Sequence, residues 1–202
     1  TGRALRRPQR RGDQRRGRLR DMVSISERPP EVEDRAVPGH WEGDLILGST
    51  ASGSAIGTLV ERATRFTLLL HLPDGHTALA VQEAIVAKMA GLPAILRKTL
   101  TWDQGKEMAN HIEIAAATDL DIYFCDPHSP WQRGTNENTN GLLRQYFAKG
   151  TDLSVFPADY LDYVATKLNR RPRQTLGWKT PAEALDELLS NPFKPPAVAS
   201  TA

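Results

Sequence analysis

Three carboxylates stand in contexts that favour chemistry over a solvated surface charge. Asp44 and Asp103 each interrupt an apolar, strand-like run. Glu137 lies on a predicted helix that also buries Leu143 and Phe147, so we expect its side chain to face inward. Mg²⁺ and Mn²⁺ prefer carboxylate oxygens, and two such ions can activate water for attack on a phosphodiester. The three residues therefore predict a two-metal site for phosphoryl transfer.

Three other acidic residues compete for the metal role. Glu42 alternates with Asp44 along the same predicted strand. Glu107 follows Asp103 by four residues, and Asp126 ends a later strand just before a proline. We expect Glu42 and Glu107 to be solvated or helix-start charges and Asp126 to be a turn residue, so none offers a better triad.

The predicted helix that carries Glu137 presents an acid, an amide and a base on one face. Asn140 follows Glu137 by three residues and Arg144 follows it by seven, which places all three on the same side of a helix. We interpret Arg144 as a phosphate contact and Asn140 as a hydrogen-bonding partner of DNA or of the Glu137 carboxylate. The alternative for Arg144 is a surface ion pair.

A basic and aromatic loop precedes this helix. Its side chains could stack on splayed bases or grip a DNA strand, although an equal alternative is that they only anchor the loop. The residues concerned are His128, Trp131, Gln132 and Arg133. Lys149, just beyond the helix, is a further candidate DNA contact.

Positive charge is concentrated at the start of the chain. Residues 1–20 contain nine arginines and one aspartate, a local charge of +8, whereas the whole chain has a net charge of +2 and the remainder therefore about −6. Such a segment has too few apolar residues to fold alone and is suited to phosphate contacts, the alternative being a solvated tail. The candidate DNA contacts are Arg6, Arg7, Arg10, Arg11, Arg15 and Arg16.

The apolar pattern predicts elements in the order βββαβαβ, followed by three helices. The predicted strands are residues 41–48, 54–61, 66–72, 98–103 and 122–125. The first predicted helix begins at Thr77, and the second runs through Met108, Ile112 and Ala115 or Ala116. The next two helices cover about 135–147 and 158–169, and the last starts with the capping box Thr180-Pro-Ala-Glu183. This order predicts an α/β, ribonuclease-H-like fold, with a mixed five-stranded sheet, helices on both faces, and Asp44 beside Asp103.

Composition limits the class of protein further. No apolar run approaches the roughly 20 residues that span a bilayer, so we expect no membrane association and a cytoplasmic location. A single cysteine, Cys125, cannot form an internal disulfide and is expected to be a small apolar residue in a strand. We divide the chain into an Arg-rich flexible arm (1–34), a catalytic core (35–190) and a disordered tail (191–202).

Three blocks of the sequence resemble the insertion-sequence-thirty family of bacterial DDE transposases. They are residues 39–46, 100–107 and 126–147, and residues 168–173 and 176–181 resemble that family's C-terminal signature. The 33 residues between Asp103 and Glu137 match the family's interval. Ala148 departs from it, since the family usually has proline there, and we expect a softer helix end.

The resemblance implies an integrase-like core that cuts at transposon ends and joins the freed 3′-hydroxyl to target DNA. It implies Asp44, Asp103 and Glu137 as the catalytic and metal-binding acids, with two Mg²⁺ or Mn²⁺ ions per active site. DNA and further copies of the chain, at least as a dimer, are the implied partners, and the bacterial nucleoid is the implied place of action.

The family also has an upstream helix-turn-helix region that recognises transposon ends, and nothing before Arg35 resembles one. A second hypothesis is therefore a non-catalytic, DNA-binding or oligomerising fragment that interferes with the full-length transposase. A third is a ribonuclease-H-like nuclease that acts on hybrids and shares the metal site.

Overall fold

The computed structural model describes residues 19–33 and 35–190 of the 202-residue chain. Two predictions lie outside the described residues: the phosphate contacts of the N-terminal arginines Arg6, Arg7, Arg10, Arg11, Arg15 and Arg16, and the tail at 191–202.

One mixed sheet forms the centre of the fold. Its strands are β1 (Val23–Ser24), β2 (His40–Leu47), β3 (Ala55–Glu61), β4 (Thr67–Leu72), β5 (Thr99–Trp102) and β6 (Asp121–Phe124), in the spatial order β1-β6-β5-β2-β3-β4. The predicted meander is confirmed, because β2, β3 and β4 pair antiparallel, whereas β5 pairs parallel with both β2 and β6. The predicted count of five strands is wrong. A sixth, β1, pairs parallel with β6.

Helices cover both faces of the sheet, as predicted. They are α1 (Ala78–Ala90), α2 (His111–Thr118), α3 (Gly134–Leu143), α4 (Ala158–Asn169) and α5 (Pro181–Ser190). Successive strand residues point to opposite faces, so Trp41 and Ile46 of β2 belong to different clusters. The Trp41 cluster packs beneath α1 and α2, and the Ile46 cluster packs beneath α3 and α4.

The prediction of which α2 residues face the core is wrong. Ile112 is 52% exposed, whereas His111 and Ile114 are buried. A separate 3₁₀ turn at Lys106–Met108 precedes the helix, so the apolar spacing does not run through one continuous element. His111 packs edge-on against Phe124, with ring centroids 5.0 Å apart.

The later helices follow their sequence signals more closely. The bounds of α4 are those predicted, and Thr180 and Glu183 form the expected reciprocal hydrogen bonds at the start of α5. The prediction that α3 continues to Phe147 is wrong, since it ends at Leu143. Tyr146 N–H bonds the Leu143 carbonyl, a tightened turn that carries the Phe147 ring into the core.

Residues 19–33 pack against the core, although their composition assigned them to a flexible arm. Val23 lies opposite Tyr123 in the sheet, and Val32 is completely buried. In the described residues, no helix has the length and apolar character required to cross a membrane.

Candidate active site

Two of the predicted acids lie on neighbouring parallel strands. The register of β2 and β5 pairs Glu42 with Thr101. Asp44 lies two residues further along β2, and Asp103 directly follows the last residue of β5. Because side chains alternate along a strand, both carboxylates leave the sheet on the same face. The expectation that Asp44 and Asp103 are neighbours is therefore confirmed.

A single guanidinium group spans the two carboxylates. Arg133 Nη1 lies 3.0 Å from Asp44 Oδ1, and Arg133 Nη2 lies 3.4 Å from Asp103 Oδ2. The Arg133 side chain is only 9% exposed, against 25% for Asp44 and 45% for Asp103. This arginine was expected to line an exposed loop and contact DNA, but the structure turns it inward to a position beneath the two acids.

Burial and neighbouring charges shift the pKa values of both Asp103 and Arg133. Burial raises the pKa of the Asp103 carboxyl above its ordinary value, with a further rise from nearby Glu107, and the Arg133 charge only partly offsets this. For Arg133, burial lowers the pKa of the guanidinium, but the charges of Asp44 and Asp103 outweigh burial and raise it overall. The guanidinium is therefore a permanent positive charge at this site.

Two polar groups of the chain orient Asp44. Asn140 Nδ2 on α3 donates to Asp44 Oδ2 at 3.1 Å, and the Leu45 main-chain N–H donates to Asp44 Oδ1 at 2.9 Å. The Asn140 amide was expected to serve DNA or Glu137, so Asp44 is a partner that the sequence did not indicate. The buried Asn140 Oδ1 has no hydrogen-bond partner among the described residues.

Glu137 lies on the stripe of α3 that faces this pair. It follows Arg133 by four residues and precedes Asn140 by three, and both of those side chains contact Asp44. Its side chain is nevertheless exposed, so the expectation that it faces inward is wrong.

The donor chemistry fits a divalent cation at two of the three acids. Asp44 and Asp103 converge on one cationic group, and carboxylate oxygens are the ligands that Mg²⁺ and Mn²⁺ prefer. Within residues 19–33 and 35–190, no cluster of three or more His, Cys, Asp or Glu side chains is arranged to hold a metal. The exposed Glu137 side chain does not join the two aspartates in this arrangement.

A buried polar cluster beneath the site fixes α3 to the sheet. Glu42 is completely buried and accepts hydrogen bonds from Arg62 and from the Asn136 main-chain N–H, the latter at 2.9 Å. The Asn136 side chain donates to the carbonyls of Glu42 and Thr58 at 2.8 and 3.2 Å and accepts from the Thr58 hydroxyl at 2.9 Å. The first turn of α3 is thus hydrogen-bonded to both β2 and β3.

The prediction that Glu42 is solvated is wrong. Strand alternation gave a usable signal, because it places Glu42 on the same face as Asp44, where α3 covers the sheet. Its counter-charge, Arg62, comes from the end of β3, and no local pattern pairs the two residues.

The same cluster extends to the N-terminal segment. Arg62 Nε donates to the Val32 carbonyl at 3.2 Å, and its guanidinium lies 3.9 Å from Glu33. Arg28 also bonds Glu33, and it donates to the Thr101 hydroxyl at 3.0 Å. A chain of contacts therefore runs from residues 28–33 across β5 and β2 to α3.

The remaining predicted DNA contacts are Arg144, Trp131, His128 and Lys149, which differ in exposure. Arg144 donates to the carbonyls of Leu47 and Phe147 at 3.2 and 3.4 Å. Trp131 is 72% exposed, and His128 and Lys149 are also exposed.

Of the four loop residues, Gln132 anchors the loop through its side chain. Its side chain accepts from the Asp126 main-chain N–H at 2.8 Å and donates to the Asp126 carboxylate at 2.9 Å, which closes the loop before α3. Asp126 is thus the turn residue that its position before proline indicated.

Comparison with known proteins identifies this arrangement. Residues 34–130 match the family model described as Integrase core domain. Over these residues the chain is similar to integrase core domains. It is 57% identical over 190 residues to a transposase for insertion sequence element IS1086 from Cupriavidus metallidurans, covering 94% of this chain and 56% of that protein. It is 51% identical over 162 residues to transposase InsI for insertion sequence element IS30C from Escherichia coli strain K12, covering 80% of this chain and 42% of that protein.

The predicted resemblance to the insertion-sequence-thirty transposases is confirmed by these relatives, and the chain spans about half of their length. The chain also resembles a chain of the simian T-cell lymphotropic virus intasome in complex with PP2A regulatory subunit B56 gamma. The TM-score is 0.59 at 19% identity, over 83% of this chain and 59% of that chain. At this identity the likeness concerns the fold, and it agrees with the predicted α/β, ribonuclease-H-like class.

Proposed function

We propose that this chain is the catalytic core of a transposase, which cuts DNA at insertion-sequence ends and transfers the freed 3′-hydroxyl to target DNA. The observation that carries the proposal is the convergence of Asp44 and Asp103 on one cationic group, beside a helix whose first turn is hydrogen-bonded to β2 and β3. The similarity to transposases over most of this chain supports the reaction class.

In this proposal Asp44, Asp103 and Glu137 hold Mg²⁺ or Mn²⁺, two ions per active site. The ions, when bound, supply charge stabilisation to the attacking and leaving oxygens of an in-line displacement. Asn140 keeps the Asp44 carboxylate in a fixed orientation. Glu137 joins the two aspartates by a rotation of its exposed side chain, because its backbone already lies between two residues that contact Asp44.

The substrate is DNA, held around the rim of the site. Exposed Trp131 and His128 are suited to stacking on bases, while Lys149 and Arg144 are suited to backbone phosphates. The N-terminal arginines and Asn140 complete the proposed DNA contacts. Two transposon ends require two active sites, so the working form is at least a dimer, and its DNA substrate lies in the bacterial nucleoid.

The test is Mn²⁺-dependent transfer of a precut, end-containing oligonucleotide into plasmid DNA. We expect Asp103→Asn and Glu137→Gln to lose transfer, and Glu113→Gln, a change of an exposed acid on α2, to retain it. Transfer that survives in either active-site variant would contradict the triad. If the wild-type chain is inactive while a longer protein with its upstream region is active, autonomous catalysis is excluded.

A second candidate function follows from the share of the relatives that the chain spans, which is 56% and 42%. A fragment of that kind could bind DNA ends or the full-length transposase without catalysing transfer. It would then co-purify with the full-length transposase and reduce its transfer rate even when Asp103 is replaced by Asn. A nuclease that acts on hybrids would instead cleave an RNA–DNA hybrid faster than duplex DNA.

A further inference from the structure

We propose that Arg133 is an internal competitor of the divalent cations, so that metal loading requires its guanidinium to leave Asp103. The inference rests on the proposed function, because it assumes that Asp44 and Asp103 bind metal. It assigns a positioning role to a residue that the sequence suggested as a DNA contact or a loop anchor.

The first argument is that guanidinium and metal use the same oxygens. Arg133 reaches Asp44 Oδ1 with one nitrogen and Asp103 Oδ2 with the other, at 3.0 and 3.4 Å. A planar fork of this kind neutralises and spaces two carboxylates that would otherwise repel each other. Asp44 and Asp103 would hold a divalent cation with these same oxygens, and the positive charge of Arg133 would oppose its binding.

The second argument is that the arginine has an anchor that does not depend on the carboxylates. Arg133 Nη1 also donates to the Gly43 carbonyl at 2.8 Å. A side chain at position 43 is sterically excluded, since an added Cβ would lie 2.1 Å from the Trp102 ring. The guanidinium can therefore give up one carboxylate and still keep a hydrogen bond.

The third argument concerns which carboxylate is released. The contact to Asp103 is the longer of the two, and Asp103 is the more exposed acid, at 45% against 25% for Asp44. Arg133 Nε is buried without a hydrogen-bond partner in the described part of the chain, and a buried donor without a partner is destabilising. A shift that provides this nitrogen with a partner would compensate in part for the lost Asp103 contact.

The experiment is a calorimetric titration of Mn²⁺ at pH 8 into the wild-type chain, Arg133→Gln, Asp103→Asn and the control Arg170→Gln. Removal of a positive charge from the site should lower the dissociation constant of Arg133→Gln by about tenfold. Arg170 is exposed at the end of α4, and its replacement should leave the affinity unchanged. Asp103→Asn should weaken binding.

The two proposals fail in different ways. If Asp103→Asn binds Mn²⁺ as well as the wild-type chain does, or if none of the four proteins binds it, the proposed metal site is wrong. If the wild-type chain binds and Asp103→Asn does not, but Arg133→Gln binds with equal or lower affinity, the competition is excluded.

A second measurement covers the case in which Arg133→Gln does not fold. In the ¹⁵N spectrum of the wild-type chain, the Nε–H resonance of Arg133, assigned by its loss in Arg133→Lys, should move as Mg²⁺ binds. A resonance that stays fixed while Mg²⁺ saturates the site would overturn the inference.

Discussion

At the scale of single residues, burial next to the candidate site changes the pKa of a cysteine side chain and therefore its reactivity. Cys125 follows β6 directly and is 3% exposed. Burial raises the pKa of its thiol to about 11, and the negative charge of Asp103 contributes although Arg133 opposes it. The residue is therefore a neutral, apolar side chain at physiological pH, in agreement with the role expected from its sequence context.

Alkylation of Cys125 tests this description. Only the thiolate reacts, and a pKa of about 11 instead of 9.0 reduces the thiolate fraction at pH 8 by about 100-fold. Iodoacetamide should therefore label the native chain at least about 100-fold more slowly than the chain in urea. The labelling is followed by mass spectrometry. Equal rates for the native chain and the chain in urea would show that the site is open to solvent.

His40 predicts a pH dependence of stability. Burial, with a contribution from the Lys98 charge, lowers the pKa of the imidazole from 6.5 to about 4. The unfolded chain therefore takes up a proton that the folded chain rejects, and stability falls as pH decreases from about 6.5 to about 4, with no effect above this range. His40→Asn should flatten the profile of the unfolding free energy between pH 7 and 5, measured in urea. A profile as steep as that of the wild-type chain would assign the effect to other groups.

At the scale of elements, local signals predicted most of the fold. Alternating apolar residues and short turns indicated the β2–β4 meander, and the capping box located α5. β1 has only two residues and exists through its pairing with β6, so it leaves no periodic pattern in the sequence. The phase of α2 was missed because a separate turn interrupts the spacing.

The candidate site likewise has a part that the sequence predicts and a part that it does not. Parallel register makes Asp44 and Asp103 neighbours, and this could be predicted from the strand order. The contacts of Arg133 with β2, and the hydrogen bonds between Glu42 and Asn136, which we call the clamp, join residues that are far apart in sequence. Their partners become apparent only when α3 packs on the sheet.

Asn136 should be the most sensitive residue of α3 for stability. It is completely buried and its side chain bonds Glu42 and Thr58. Asn136→Ala leaves several buried polar groups unpaired, which we expect to destabilise the chain by about 3 kcal/mol or more. Asn138→Ala, at an exposed position on the same helix, should change the unfolding free energy by less than about 0.5 kcal/mol. Equal effects of the two variants in urea would mean that the clamp does not hold α3.

At the scale of the whole molecule, the N-terminal segment and the candidate site form one connected unit. Arg28 is 4% exposed and joins Glu33 to Thr101, which lies two residues before Asp103. Arg62 joins Glu33 and the Val32 carbonyl to Glu42, which lies two residues before Asp44. A disturbance of residues 28–33 should therefore reach both aspartates through their own strands.

Arg28→Ala tests this connection. Loss of its buried contacts should loosen β1 and the adjoining end of β6, so that hydrogen exchange of peptides covering 19–33 and 121–124 becomes faster. Peptides from α4, on the opposite side of the sheet order, should exchange at the wild-type rate and act as an internal control. Unchanged exchange in residues 19–33 would exclude Arg28 as the link.

The parallel pairing of the sheet has a consequence for biosynthesis. β2 needs β5 beside it, since His40 pairs with Thr99, and β1 needs β6, since Val23 pairs with Tyr123. A ribosome releases the chain from its N-terminus, so Asp44 emerges well before Asp103 and before the helix that bears Glu137. Long-range pairings of this kind form slowly and late. It follows that the candidate site of a nascent chain is not assembled until α3 has left the exit tunnel.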